Sequence, residues 1–329
     1  MRPVDRRSRR RPTPRRFLVR RLVAGVVALL LLGGIGTGIA ALVGAVGPGH
    51  HAAVASPVSS TTTPPPPPPP AEPGGGRRLF PGRRIVAFYG APDGAALGVL
   101  GATSPQAAWP ALATQAAPYA QPGVKVLPSF ELITYVAQSS PGPDGAYSLR
   151  LPDAEIRQYL SVVQAHHGML ILDIQPGRSS FLADARTLAP YLAQPDVGLA
   201  LDPEWEVGAP DLPGQVIGHT TGAEIDSVGD WLNRFSEARR LPQKLFLIHQ
   251  FTPGMVVDKA AVAGWYGLAT VFNMDGFGEW SEKLGDYGFL ASDHRWRLGF
   301  KLFYSKDTPL YPPTAVLGLH PTPSVIEYE

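Results

Sequence analysis

Val197-Gly198-Leu199-Ala200-Leu201-Asp202-Pro203-Glu204-Trp205 sets bulky apolar side chains alternately with small ones, then ends in two acids. A strand sends successive side chains to opposite faces. Leu199, Leu201 and Pro203 therefore share one face, and Gly198, Ala200, Asp202 and Glu204 the other. Read as a barrel strand, the stretch puts small residues low in the interior and two acids at the rim.

Runs of the same kind recur along the chain. Strands are predicted at Ile85 to Tyr89, Lys125 to Glu131, Met169 to Gln175, Gly198 to Glu204, Leu245 to Gln250, Thr270 to Asp275, Gly299 to Tyr304 and Ser324 to Tyr328. The stretches between them carry helical patterning, and that alternation builds a parallel sheet from βαβ units. Eight strands between Leu79 and Glu329 fit a TIM-like (β/α)8 barrel, which takes about 250 residues, better than an open sheet.

Individual helices read clearly. Pro152-Asp153 opens a run with Ile156, Tyr159, Leu160 and Val163 at helical spacing, closed by His166-His167-Gly168. Histidines in a last turn before glycine are ordinary helix-end chemistry. Glu224 to Arg240 carries Ile225, Val228, Trp231, Leu232 and Phe235 on one stripe, with Thr220 or Thr221 to cap it. Pro312 to Leu319 is the expected short helix between the last two strands, and no clear helix follows the eighth.

The N-terminal part differs in kind. Residues 1–21 hold ten arginines against Asp5, a charge of +9, while the whole chain is only +2, so the rest is near −7. The basic character belongs to the tail, which removes the case for nucleic-acid binding by the folded domain. Leu22 to Val46 is uncharged and apolar, long enough to span a bilayer, and the arginines place the N-terminus in the cytoplasm. A cleaved signal ending near Ala53-Val54-Ala55 is the competing reading, but its apolar core would be overlong. Residues 47–78 are rich in Ser, Thr, Pro and Gly, and the prolines from Pro64 to Pro70 form a stiff spacer. The expected organisation is a cytoplasmic tail (1–21), a single transmembrane helix (22–46), a linker (47–78) and an extracytoplasmic barrel (79–329). With no cysteine in the chain, the barrel depends on its own core.

Active sites of such barrels lie at the C-terminal ends of the strands. Polar residues gather there: Glu131 on the second strand, Asp173 and Gln175 on the third, Asp202 and Glu204 on the fourth. His249 and Gln250 follow on the fifth, Asn273 and Asp275 on the sixth, Lys301 and Tyr304 on the seventh, and Glu327 on the eighth. Tyr89, Trp205, Phe277, Trp280 and Tyr304 offer flat rings for sugar faces. Neighbouring carboxylates raise each other's proton affinity, so one can serve as an acid while the other is charged. Breaking a glycosidic bond requires that division of roles.

Leu201-Asp202-Pro203-Glu204-Trp205 resembles the Asp-x-Glu strand of chitinase-like glycoside hydrolase barrels. The resemblance implies Glu204 as proton donor and Asp202 as its helper. The family's further acids, four and seven residues before the Glu, are Ala200 and Val197 here, which points to a more distant glycosidase-like barrel. In that case the partner carboxylate is Asp173, Asp275 or Glu131.

Other chemistries lack their residues. There is no H-E-x-x-H, P-loop or G-x-S-x-G pattern, so no metal and no cofactor is expected. Two functions are left open: a hydrolase acting on a glycan or other cell-envelope polymer, and a non-catalytic barrel holding an envelope glycan or protein partner.

Overall fold

The computed structural model describes residues 68–92 and 94–329. The predicted tail, transmembrane helix and most of the linker lie outside the described residues. Among the described residues, no helix is long and apolar enough to cross a membrane.

Eight parallel strands form a closed barrel. They are β1 (Arg83–Gly90), β2 (Lys125–Ala137), β3 (Met169–Ile174), β4 (Val197–Leu201), β5 (Lys244–His249), β6 (Leu268–Met274), β7 (Arg297–Leu302) and β8 (Val325–Tyr328). Each pairs with the next, and β8 returns to β1 with Ile85 opposite Val325. Every predicted strand is present. The main helices are α1 (Pro105–Ala116), α2 (Asp153–Ala165), α3 (Phe181–Thr187), α4 (Ala189–Leu192), α5 (Gly222–Ala238), α6 (Trp280–Ala291) and α7 (Pro313–Leu317). Thr221 caps α5 by accepting from Glu224 N at 3.1 Å.

Most strand ends shift by one to three residues from the sequence reading, and two of the differences bear on the site. β4 stops at Leu201, and Pro203–Trp205 forms a 3-10 turn. Proline has no N–H for the ladder, so Glu204 stands on a turn above the strand instead of within it. β2 runs on past Glu131 to Ala137 because Leu132 to Val136 is still a buried, mostly β-favouring run. Its end bulges between Ile133 and Tyr135 and pairs antiparallel with Ser148–Arg150.

Alternation divides the core in two. Outward residues such as Val86, Leu170, Leu199, Phe246 and Phe272 pack against the helices. Inward residues Ile85, Ala87, Met169, Ile171, Ala200, Leu245, Leu247 and Val271 fill the lower barrel, with Leu79 and Phe80 in the same cluster. Higher up the interior turns polar.

Gly299 belongs to this packing. A Cβ there would overlap Asn273 Oδ1, and Asn273 cannot swing away freely because its Nδ2 donates to Glu327 Oε2 at 2.7 Å. Gly299→Ala is expected to lower stability by about 1–3 kcal/mol through overpacking. Denaturant unfolding should show the midpoint falling with an unchanged slope.

Candidate active site

The inward positions at the upper ends of the strands carry Tyr89, Glu131, Asp173, Gln175, Asp202, His249, Asn273, Asp275, Lys301 and Glu327, all buried. One parity along each strand brings them together. Above them opens a cavity of about 350 Å³, whose walls include Tyr89, Gln175, Glu204, Trp205, Asp275 and Lys301.

The predicted site residues fall into three groups. Those six face the cavity. Glu131, Asp173, Asp202, His249, Asn273 and Glu327 are not among its walls and form the layer beneath. Gln250 and Tyr304 have the opposite parity and are not in either set. Gln250 is buried and accepts from Lys259 Nζ at 2.8 Å, and Tyr304 stacks on Tyr328 with its hydroxyl on Gln115 Oε1. Trp280 likewise packs on Phe300 and Tyr311 at the barrel's flank.

The sequence reading did not single out Glu329, Lys306, Phe251 or Phe303, which also line the cavity. Glu329 shares the parity of Glu327, and that signal was available. Lys306 comes from a loop, where no periodicity marks it.

The buried layer is organised around two hubs. His249 meets carboxylates on both ring nitrogens, Glu131 Oε1 at 2.9 Å from Nε2 and Asp275 Oδ2 at 3.2 Å from Nδ1. Burial alone would lower its proton affinity. Glu327 and the bonds to Asp275 and Glu131 outweigh that and hold it well above the usual histidine value. An imidazolium donates from both nitrogens, which fits two acceptors. Glu327 itself is pushed well above the ordinary carboxyl range by burial and then by Glu131.

Tyr89 is the second hub. Its hydroxyl lies 3.3 Å from Asp173 Oδ2 and 3.2 Å from Asp202 Oδ2, and accepts from Gln175 Nε2 at 3.1 Å. One phenol proton serves only one of the two acids. Asp173 is raised well above its usual value by burial and then by Asp202, which favours a proton on Asp173 itself. Lys301 Nζ sits 3.3 Å from the Tyr89 ring centre and 2.9 Å from Glu329 Oε2.

Glu204 is half-buried on the cavity wall. Burial, then the charges of Asp202 and Asp275, raise its carboxyl well above the ordinary range. The turn that carries it is pinned from above: Gly218 N donates to the Glu204 carbonyl at 2.7 Å, and His219 N to that of Glu206 at 3.1 Å. Gly218 is required there because a Cβ would overlap the Glu206 carbonyl.

Glu131, His249 and Glu327 also bring potential metal-ligand atoms within 4.8 Å of one another. All three are fully buried, so an ion held there would present no open position to a substrate in the cavity, as a catalytic ion must. The proton-sharing arrangement accounts for the same contacts.

Raised carboxyls tie stability to pH. Burial lifts Asp202 and Asp184 to about 6, and Glu72 and Glu206 to about 8. Each binds its proton more tightly folded than unfolded, so its stabilising contribution is complete below its unfolded value and is lost as pH rises through the folded one. Thermal stability is therefore expected to decline between about pH 4 and 8. A melting temperature that climbs across this window would contradict the assignment.

No family model and no curated protein matches the sequence. Among solved structures, the chain is similar to a xylanase and α-amylase inhibitor protein from Scadoxus multiflorus. The match has 13% identity and a TM-score of 0.41, covering 74% of this chain and 92% of that one.

Proposed function

We propose that the barrel is a carbohydrate-active hydrolase that cleaves a glycan by carboxylate acid/base chemistry. The observation that carries this reading is Glu204, a carboxyl with raised proton affinity on the wall of an open cavity that Asp275 also lines. Glu204 is the proton donor to the leaving oxygen. Of the partner carboxylates that the sequence left open, Asp275 faces the same cavity, while Asp173 and Glu131 lie beneath it. Asp275 is therefore the partner, held in place by His249 Nδ1. Asp202 supports the acid electrostatically, since its charge raises Glu204.

Trp205, Phe277, Phe251 and Phe303 supply rings for sugar faces. The apolar run at residues 22–46 anchors the protein in the cell membrane with its N-terminus inside and the barrel outside, which gives it an envelope glycan or related polymer as substrate. One observation favours a second reading, a barrel that binds such a polymer without cleaving it: much of the cavity wall is apolar, including Leu97, Ile133, Val216 and Ile217. Release of reducing ends from a broad glycan panel separates the two. Turnover by the wild type that Glu204→Gln abolishes supports the hydrolase, whereas binding without turnover supports the second reading.

A further inference from the structure

The end of the barrel opposite the cavity has a different electrostatic character. The strands begin there, and the residues at or just before their starts include Arg77, Arg78, Lys125, Arg239, Arg240 and Arg297, all exposed. Fewer acids share that end. Glu72 is buried, and burial lifts it to about 8. Asp293 is engaged by Arg295 at 2.8 Å. Asp196 and Glu237 are the other acids beside these strand starts. A chain that is near −7 outside its first 21 residues thus concentrates positive charge at one end of its folded domain.

Two further observations say what meets that end. The linker arrives on it: Arg77 Nη1 donates to the Pro70 carbonyl at 2.9 Å, and Gln243 N to the Arg77 carbonyl at 2.9 Å, beside the start of β5. Between the apolar run ending at Val46 and Pro68, 21 residues extend at most about 70 Å. The basic end is therefore held within about 70 Å of the surface in which that run is read to insert. Tyr266, 86% exposed, stands on the same end with the Arg78 guanidinium 5.9 Å from its ring centre. An exposed amphipathic ring among arginines suits a headgroup layer.

We infer that this basic end of the barrel is a docking surface for anionic lipid headgroups, and that docking turns the cavity away from the membrane. The inference rests on the membrane-anchored reading but not on hydrolysis. Each cation near an anionic surface adds a small, salt-sensitive attraction. The tether makes the contact intramolecular, so weak attraction suffices.

The chain has no cysteine, so single cysteines give unique labels. Full-length protein with a spin label at Glu237→Cys, on the basic end, or at Asp211→Cys, in an exposed loop beyond β4 at the cavity end, is reconstituted into vesicles. One set is phosphatidylcholine alone, and the other has about 30 mol % phosphatidylglycerol. Each contains a nickel-chelating lipid as relaxer.

The label at 237 should relax several-fold faster in the anionic vesicles, and the gain should vanish in about 0.5 M salt. The label at 211 should not respond. The basic N-terminal tail is expected to be drawn to anionic lipid as well, but it is intact in the triple variant below, so a gain which that variant loses does not come from the tail. Replacing Arg78, Arg240 and Arg297 together by Gln should abolish the gain while melting stays unchanged. Equal relaxation at 237 in both lipid mixtures, an equal response at 211, or a gain that survives the triple replacement would overturn the inference. Flotation with phosphatidylcholine vesicles tests the anchor alone. If the chain fails to float there but position 237 still responds to phosphatidylglycerol, docking stands without the anchor.

Discussion

Glu204→Gln is expected to lower kcat on an unactivated glycan by about 10²–10⁴-fold, the usual worth of a positioned general acid, with little change in affinity. Glutamine has the shape of a protonated glutamate and no charge. Because burial and the neighbouring acids favour the protonated form of Glu204, the exchange should disturb the cavity little and melting should barely move. The wild type should lose activity as pH rises through the elevated value of Glu204, and the variant should lack that limb. A substrate whose leaving group is already acidic needs no proton, so the variant should recover most of its rate on it. Equal losses on both substrates would assign Glu204 a structural role and remove it as the acid.

The parts of this arrangement that were legible in the sequence are those governed by period. All eight strands were readable because β-branched and aromatic runs alternate with helical stripes. The inward parity of Asp173, Asp202, Asn273, Lys301 and Glu327 follows from the same rule. Period alone could not say how deep each residue lies. Glu131 and His249 read as rim residues, yet the barrel walls rise past them and seal them below the cavity. Proline at 203 lifts Glu204 off the strand, so the parity that correctly placed Ala200 and Asp202 did not set its height. Gln250 and Tyr304 lie at strand ends, but their even numbers put them opposite His249 and Lys301 and outside the site. Lys306 was not accessible to such reasoning, because a loop has no repeat to fix where its side chain points.

The interior layer also makes a demand on stability, and Lys301 is where it can be tested. The residue is 2% exposed, and the charges of Glu329, Glu327, Asp275 and Asp202 outweigh the penalty of burial and raise its proton affinity. Glu329 depends on it in turn: burial would raise that carboxyl, but Lys301 and Lys306 hold it below the usual value. Lys301→Met keeps much of the apolar stem and deletes the charge, leaving the acids without their central cation. Breaking one side of a buried pair costs about 3–5 kcal/mol, a fall in melting temperature of roughly 6–20 °C for a domain of this size. The sign with pH is fixed by the acids. Glu329 contributes above its unfolded value, so the variant should lose most at neutral and alkaline pH and approach the wild type as pH falls through the lowered value of Glu329. Adding Glu329→Gln to Lys301→Met should restore part of the loss, because the orphaned charge is then gone. A single variant that melts with the wild type at pH 8 would show that the acids do not rely on Lys301, and the charge balance assigned to the barrel interior would have to be redrawn.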